Sequence, residues 1–317
     1  MKKIILDTDT GSDDAVAIVM ALRDPGVQVL ACTTVSGNVE VERATYNCLQ
    51  AIDYAGTYRP PVYEGAGRPL QGEYENADQV HGQDGMGDLG TLRRPADSPA
   101  PGSAVDAILR LLREGAGDIE LVAIGPLTNL ALAILQEPET VKKAPHITIM
   151  GGAHPYNNPH TVWAEFNIMC DPKAAGVVFS SGIPFTLVTL EACWGDMRFD
   201  EDDIARFRAR SEAGAFCVDC NRTAIDLARK RQGEGRFTLP GAAAMAALLR
   251  PELIKTSFPS YTQVDCKGRF TRGATLFEPI ERRFVTDAFG LEKHRPNSTV
   301  VTEMDGAGFK EYLMGLL

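Results

Sequence analysis

The chain has 317 residues, 44% of them apolar, and a net charge of −10, which allows a large buried core and argues against nucleic acid as a partner. No apolar run reaches the about 18 residues of a membrane span, so no membrane partner is expected. Seven scattered cysteines suit a reduced chain, and Met1-Lys2-Lys3 leads into an acidic strand end rather than a secretory leader, so the expected location is cytoplasmic.

Residues 3–6 read as a short apolar strand, Gly11-Ser12 as a turn, and 13–23 as a buried helix with Ser12 as its N-cap. A second buried strand over 27–35 precedes a helix over about 39–54. Strand, helix, strand, helix predicts a mostly parallel sheet. The pattern resumes with strands at 119–125, 146–152 and 184–192, each beside helical sequence. The segment 103–115 predicts an amphipathic helix capped by Ser103. Helical sequence dominates 200–250, and weaker strand-like segments fill 256–303. The Gly/Pro-rich stretches 57–102, 153–164 and 231–241 exceed ordinary connections and are expected to carry function.

No linker divides the chain. The prediction is one α/β domain over 1–317: a Rossmann-like, open, mostly parallel sheet with additional C-terminal helices. In such sheets the ligand site lies beyond the carboxyl ends of the strands. Asp7, Asp9, Asn38, Ile124-Gly125, Gly151-Gly152 and Glu191 all fall there.

The stretch ILDTDTGSDDAVAIVMAL, residues 5–22, places Asp7, Asp9, Asp13 and Asp14 beside an almost wholly apolar run. A helix start welcomes one or two carboxylates without any metal, but four repel one another. The other reading is a hard-cation site, because calcium and magnesium take oxygen ligands. DTDTG also echoes the DxDx[T/V] nucleophile loop of haloacid-dehalogenase-type phosphatases, with Gly11 where those carry Thr or Val.

The whole stretch DTDTGSDDA resembles the DxDxGxDDA motif of the inosine-uridine-type nucleoside hydrolases. TTVSGN (33–38), HGQDGMG (81–87), AIGPLTNLALA (123–133), MGGA (150–153) and AEFNIMCDPKAA (164–175) resemble further blocks of that family, in the same order. The resemblance implies hydrolysis of the N-ribosidic bond of a ribonucleoside. It further implies Ca²⁺ held by Asp9, Asp14 and the Ile124 carbonyl, with Asp9 also the general base. Asp13 and Asn167 would hold the ribose hydroxyls, Glu165 would lie near the 5′ end, and Asn38 and His81 would line the pocket. Family members are commonly homodimers or homotetramers, so a homo-oligomer is implied. The chemistry suits those residue types, because cleavage passes through an oxocarbenium-like ribose that carboxylates stabilise.

Two departures stand out. Pro240 and Gly241 occupy the positions of the family's HDP or PDP segment, so Gly241 replaces a metal-binding Asp and no His stands before it. Pro159 replaces a family Asn, with Asn158 adjacent as the candidate substitute. The open explanations are an altered substrate with weak metal binding, a replacement carboxylate with Glu191 foremost, or a non-catalytic nucleoside-binding protein. A pyrimidine or modified nucleoside is favoured over a common purine.

Other candidates default to structure. Cys217 and Cys220 read as ordinary thiols, although one could line the pocket. His146, His154, Trp163 and Trp194 read as packing residues. The basic run 228–236 is a solvated helix end or a lid, with Arg222, Arg229 and Arg236 as lid candidates.

Overall fold

A computed structural model describes residues 1–153, 164–233, 235–279 and 294–317. Asn158, Pro159, His154 and Trp163 lie outside the described residues. The first half alternates as predicted: β1 (Lys2–Thr8), α1 (Ser12–Arg23), β2 (Val27–Thr34), α2 (Val41–Ala55), β3 (Val62–Glu64), α3 (Asp78–His81), α4 (Ala104–Glu114) and β4 (Ile119–Ala123). Next come α5 (Thr128–Gln136), α6 (Pro138–Val141), β5 (Ile147–Met150), α7 (Phe166–Cys170), α8 (Pro172–Phe179) and β6 (Phe185–Val188). Helices α9 (Glu201–Arg210), α10 (Glu212–Asp219), α11 (Arg222–Gln232) and α12 (Pro240–Leu249) follow, then β7 (Ile254–Val264), β8 (Thr275–Pro279), β9 (Ser298–Met304) and α13 (Gly306–Leu316).

The strands form one nine-stranded sheet in the order β3-β2-β1-β4-β5-β6-β9-β7-β8. Pairing is parallel from β3 across to β9, and β7 runs antiparallel to both of its neighbours. Side chains alternate across the sheet with period two. Ile4 and Leu6 of β1 face a layer built from α1, α2, α10 and α12, whereas Ile5 faces α4, α5 and α8. α1 is therefore apolar on all sides: it is buried from Ser12 through Leu22, against the sheet, α2 and α12. The alanine-rich α12 presents small side chains at Ala242, Ala243, Ala244, Ala246 and Ala247, which lets it pack closely on α1.

Three predicted boundaries shift. Ser12 is the first helical residue rather than the cap, and the Asp14 side chain instead accepts the Gly11 N–H at 2.9 Å. β6 stops at Val188, and a 3₁₀ turn (Leu190–Cys193) takes the rest of the predicted strand. The stretch 57–102 contains β3 and α3. Among the described residues no helix is long and apolar enough to cross a membrane.

Candidate active site

From β1 the chain moves outward through β2 to β3, then returns to place β4 on the other side of β1. That reversal opens a crevice beyond the carboxyl ends of β1 and β4, where ligands bind in open α/β sheets. Asp9, Asp13 and Asp14 follow β1 there, and Ile124 follows β4.

Asp9 is fully buried. Its Oδ2 accepts the Asn38 N–H at 2.6 Å, and its Oδ1 has no partner. Gly37 and Gly125 make the room: a Cβ would come within 2.1 Å of Oδ2 from Gly37 and 2.6 Å of Oδ1 from Gly125. Burial pushes the Asp9 carboxyl up to about 7, although the Asn38 N–H pulls the other way. Asp14 Oδ2 accepts from the Gly11 N–H at 2.9 Å and from the Asn38 side chain at 3.1 Å. Burial first, then the charges of Asp13 and Asp9, hold its carboxyl well above the ordinary range. Asn38 thus ties the two carboxylates together. Two carboxylates so close and so dry call for a cation if both are to ionise.

The donors present fit a hard divalent ion. Asp9 Oδ1 is unpartnered and Asp14 stands beside it; the Ile124 carbonyl accepts from Asn167 Nδ2 at 2.9 Å and keeps a second lone pair. The set is sparse, and among the described residues no three His, Cys, Asp or Glu side chains converge as a metal-binding group. Gly241, the second residue of α12, offers a backbone N–H to Asp13 Oδ2 at 2.8 Å, and its Cβ direction points within 2.6 Å of Asp14 Oδ1. Glu191 is another carboxylate near the crevice. It is buried on the 3₁₀ turn after β6 with both carboxylate oxygens unpartnered, and its charge bears on Glu165.

Asp13, His81, Glu165 and Asn167, to which the resemblance gives sugar-side roles, lie on one cavity. Asp13 Oδ1 lies 3.9 Å from His81 Nδ1. His81 Nδ1 accepts the Ser12 N–H at 3.3 Å and contacts Ser12 Oγ at 2.8 Å, so the ring proton sits on Nε2. Burial lowers the His81 pKa, against the pull of the Asp13 charge, which favours the neutral ring. Glu165 caps α7, accepting from the Asn167, Ile168 and Gly152 N–H groups at 2.9, 3.2 and 3.1 Å. Burial pushes it up to about 7 despite those bonds.

Asp13, Asp14, Asn38, His81, Glu165 and Asn167 line one cavity of about 610 Å³. Much of the rest of its wall had no assigned role at the sequence level. Leu190, Trp194, Phe237 and Thr238 line it, together with Arg198 and Arg231, and the lid candidate Arg236 joins them. Trp194 therefore faces the pocket rather than only packing. Of the lid candidates, Arg236 alone lies in the wall. Arg222 donates to the Gly87 and Asp88 carbonyls, which fastens the 81–87 loop, and Arg229 pairs with Glu201 and Asp226. Gly87, at φ 79°, sits where a Cβ would meet the Cys220 carbonyl at 2.7 Å, so this loop needs glycine there. Cys217 and Cys220 are buried away from the pocket, Cys220 Sγ pointing to the Ser12 carbonyl at 3.4 Å. His146 is structural, 2.9 Å from Thr186 Oγ1.

Asp7 is also structural. Its Oδ1 accepts from Thr33 Oγ1 at 2.5 Å and Asn129 Nδ2 at 2.8 Å, locking β1 to β2 and α5. Burial pushes Asp7 up to about 7 from 3.8, as it does Glu165 from 4.5. Across that interval the folded protein holds more protons than the unfolded chain, so stability falls as pH rises through it. A tenfold difference in proton affinity between the two states is worth about 1.36 kcal/mol. Chelator-treated protein should therefore melt at a lower temperature at pH 7 than at pH 5, and Asp7→Asn should flatten the difference. A midpoint that rises between those pH values would contradict a cost of ionising these buried carboxyls.

The family described as inosine-uridine preferring nucleoside hydrolase matches residues 4–311. The pyrimidine-specific ribonucleoside hydrolase RihA of Salmonella typhimurium is 35% identical over 315 residues, 98% of this chain and 96% of that one. Among solved structures, the plant nucleoside hydrolase PpNRh1 superposes with a TM-score of 0.89 at 31% identity, covering 99% of this chain and 98% of that one. A purine-preferring ribonucleoside hydrolase from Gardnerella vaginalis gives a TM-score of 0.86 at 29% identity, with the same coverage. These likenesses span the fold and the acidic crevice together, and leave the phosphatase loop as a local echo. The chain belongs to the inosine-uridine preferring nucleoside hydrolase family and is a hydrolase of N-ribosidic bonds.

Proposed function

We propose that this chain is a calcium-dependent hydrolase of a pyrimidine or modified ribonucleoside. The observation that carries the reading is the unpartnered Asp9 Oδ1, buried at the floor of the crevice beside Asp14 and the Ile124 carbonyl. Asp9, Asp14 and Ile124 would hold the calcium, which when bound supplies a Lewis acid that acidifies water and orients the sugar diol. Asp13 and Asn167 bind the ribose hydroxyls, and Glu165 receives the 5′ end. Asn38 positions both metal-binding carboxylates, and His81 offers its Nε2–H to the substrate. Asn158 is the proposed substitute for the family Asn that Pro159 replaces.

As the N-ribosidic bond lengthens, positive charge grows on the ribose ring, and the carboxylate floor stabilises it. Asp9 Oδ1 takes the proton of the attacking water. The pyrimidine preference is supported by the similarity to a pyrimidine-specific hydrolase and by Pro240 and Gly241, which place no imidazole at the start of α12. Gly241 also favours a second reading, a nucleoside-binding protein without turnover, because it contributes no carboxylate to the metal set. Calcium analysis of the purified protein, with ribose release across a nucleoside panel, separates them. Bound calcium with released ribose supports the hydrolase; binding without turnover supports the second reading.

Asp13→Ala should cost ribonucleosides about 10- to 100-fold in kcat/KM, the worth of one charge-assisted hydrogen bond. 2′-Deoxyribonucleosides, which lack one hydroxyl of the diol, should lose less. Equal losses for both sugars would remove Asp13 from the ribose site.

A further inference from the structure

The cavity is electrostatically divided. Its floor carries Asp13, Asp14 and Glu165, whereas its wall carries Arg198, Arg231 and Arg236. Arg231 belongs to a stripe on α11, Ala224, Leu227, Ala228 and Arg231, whose three- and four-residue spacing puts one face of the helix into the cavity. Arg198 and Arg236 also line a neighbouring cavity of about 680 Å³ that holds Asp200 and Asp203, and Asp200 feels the Arg236 charge. Arg231, unlike Arg198 and Arg236, lines this cavity and not the neighbouring one, and it pairs with no carboxylate among the described residues. A guanidinium stays charged at every working pH and cannot serve as a proton donor of ordinary acidity.

We propose that the enzyme expels its base as an anion, with Arg231 as the principal cation that stabilises it and Arg198 and Arg236 in support, and that its substrates are nucleosides of oxo-bases such as uracil. This inference rests on the hydrolase reading of the same cavity. In the step, the C1′–N bond breaks with its electron pair passing to the ring nitrogen and on to the base carbonyl oxygens. Water adds through oxygen to C1′ and gives one proton to a floor carboxylate, while the base anion later takes a proton from solvent. A guanidinium meets two adjacent acceptors with paired N–H groups, which suits ring carbonyls and the nitrogen between them. Among the described residues that line this cavity the one imidazole is His81, whose pKa burial lowers, so a base that needs protonation before it leaves is poorly served there. Apolar neighbours such as Leu227, Trp194 and Phe237 thin the water around the cations once the base is seated, which strengthens their effect.

The test pairs leaving-group kinetics with equilibrium binding, in calcium-loaded wild type, Arg231→Gln and Arg231→Lys. The kinetic series is uridine, 5-fluorouridine and p-nitrophenyl β-ribofuranoside, whose leaving groups form anions with increasing ease. Arg231→Gln should lose about tenfold or more in kcat/KM on uridine, less on 5-fluorouridine and least on the nitrophenyl riboside, below the about 10²–10³ of a fully buried oxyanion donor because Arg231 is exposed. Arg231→Lys should recover most of the loss. By calorimetry, barbiturate, a pyrimidine anion at neutral pH, should bind wild type more tightly than neutral uracil does, and Arg231→Gln should erase that advantage. Equal losses on all three substrates, no loss, or a barbiturate preference that survives the substitution would overturn the proposal. Failure of wild type to release ribose from any nucleoside or from the nitrophenyl riboside would overturn the hydrolase reading instead, and the binding comparison would still decide the role of Arg231.

Discussion

Asp9→Asn should lower kcat by about 10²–10⁴-fold, the usual worth of a general base, without loss of folded protein. The amide fills the same volume, and its oxygen can accept the Asn38 N–H that Asp9 Oδ2 accepts at 2.6 Å. What disappears is the unpartnered Oδ1, the one oxygen of that carboxylate available to a water or a cation. The substitution also removes a buried charge whose carboxyl is raised to about 7 by desolvation, so the metal-free variant should melt no lower than wild type at pH 7. Ribose release and thermal melting in chelator check the two halves separately. Near-normal kcat in a folded variant would mean that another group takes the proton.

Gly241→Asp should tighten calcium binding by about tenfold or more, because affinity at oxygen sites rises with the number of charged ligands. The backbone permits the change: Gly241 follows Pro240 in the first turn of α12, has no positive φ, and a helix start favours an acidic side chain. Space is tighter. The new Cβ would approach Asp14 Oδ1 to 2.6 Å and Asp13 Oδ2 to 3.3 Å, so Asp14 must turn while its Oδ2 stays held by Gly11 and Asn38. Without a cation the added carboxylate joins groups that already resist ionisation, and the metal-free variant should melt lower than wild type. Saturating calcium should reverse that deficit. Calorimetric titration of both proteins at equal pH and ionic strength reads the affinity directly. A folded variant with unchanged or weaker affinity would show that position 241 does not face the ion.

The two substitutions also show where local sequence reading succeeds. The alternation of strands and helices through β6, the burial of α1 and the place of Asp9 and Ile124 beyond strand ends follow from periodicity, whereas Asp13, Glu165 and Asn167 were marked for the same crevice by the family resemblance. Each depends on residues close in the chain, or on the rule that such sheets bind ligands at their carboxyl edge. Asp7 was legible as part of the cluster but not as the lock between β1, β2 and α5, since Thr33 and Asn129 reach it only through sheet order.

What the sequence alone determined was the acidic floor of the crevice, because charge crowding within eight residues is a local fact. Only the tertiary structure decided the opposite wall of the cavity. Trp194 and Arg198 follow β6, Arg231 closes α11, and Arg236 precedes α12; these segments share no motif and meet only when the helices after β6 fold back over the crevice. The same folding placed Glu191. The 3₁₀ turn after β6 buries it with both oxygens unpartnered and brings its charge to bear on Glu165. A strand end fixes the edge of the sheet on which a side chain lies, and the packing of the next turn fixes the direction in which it points.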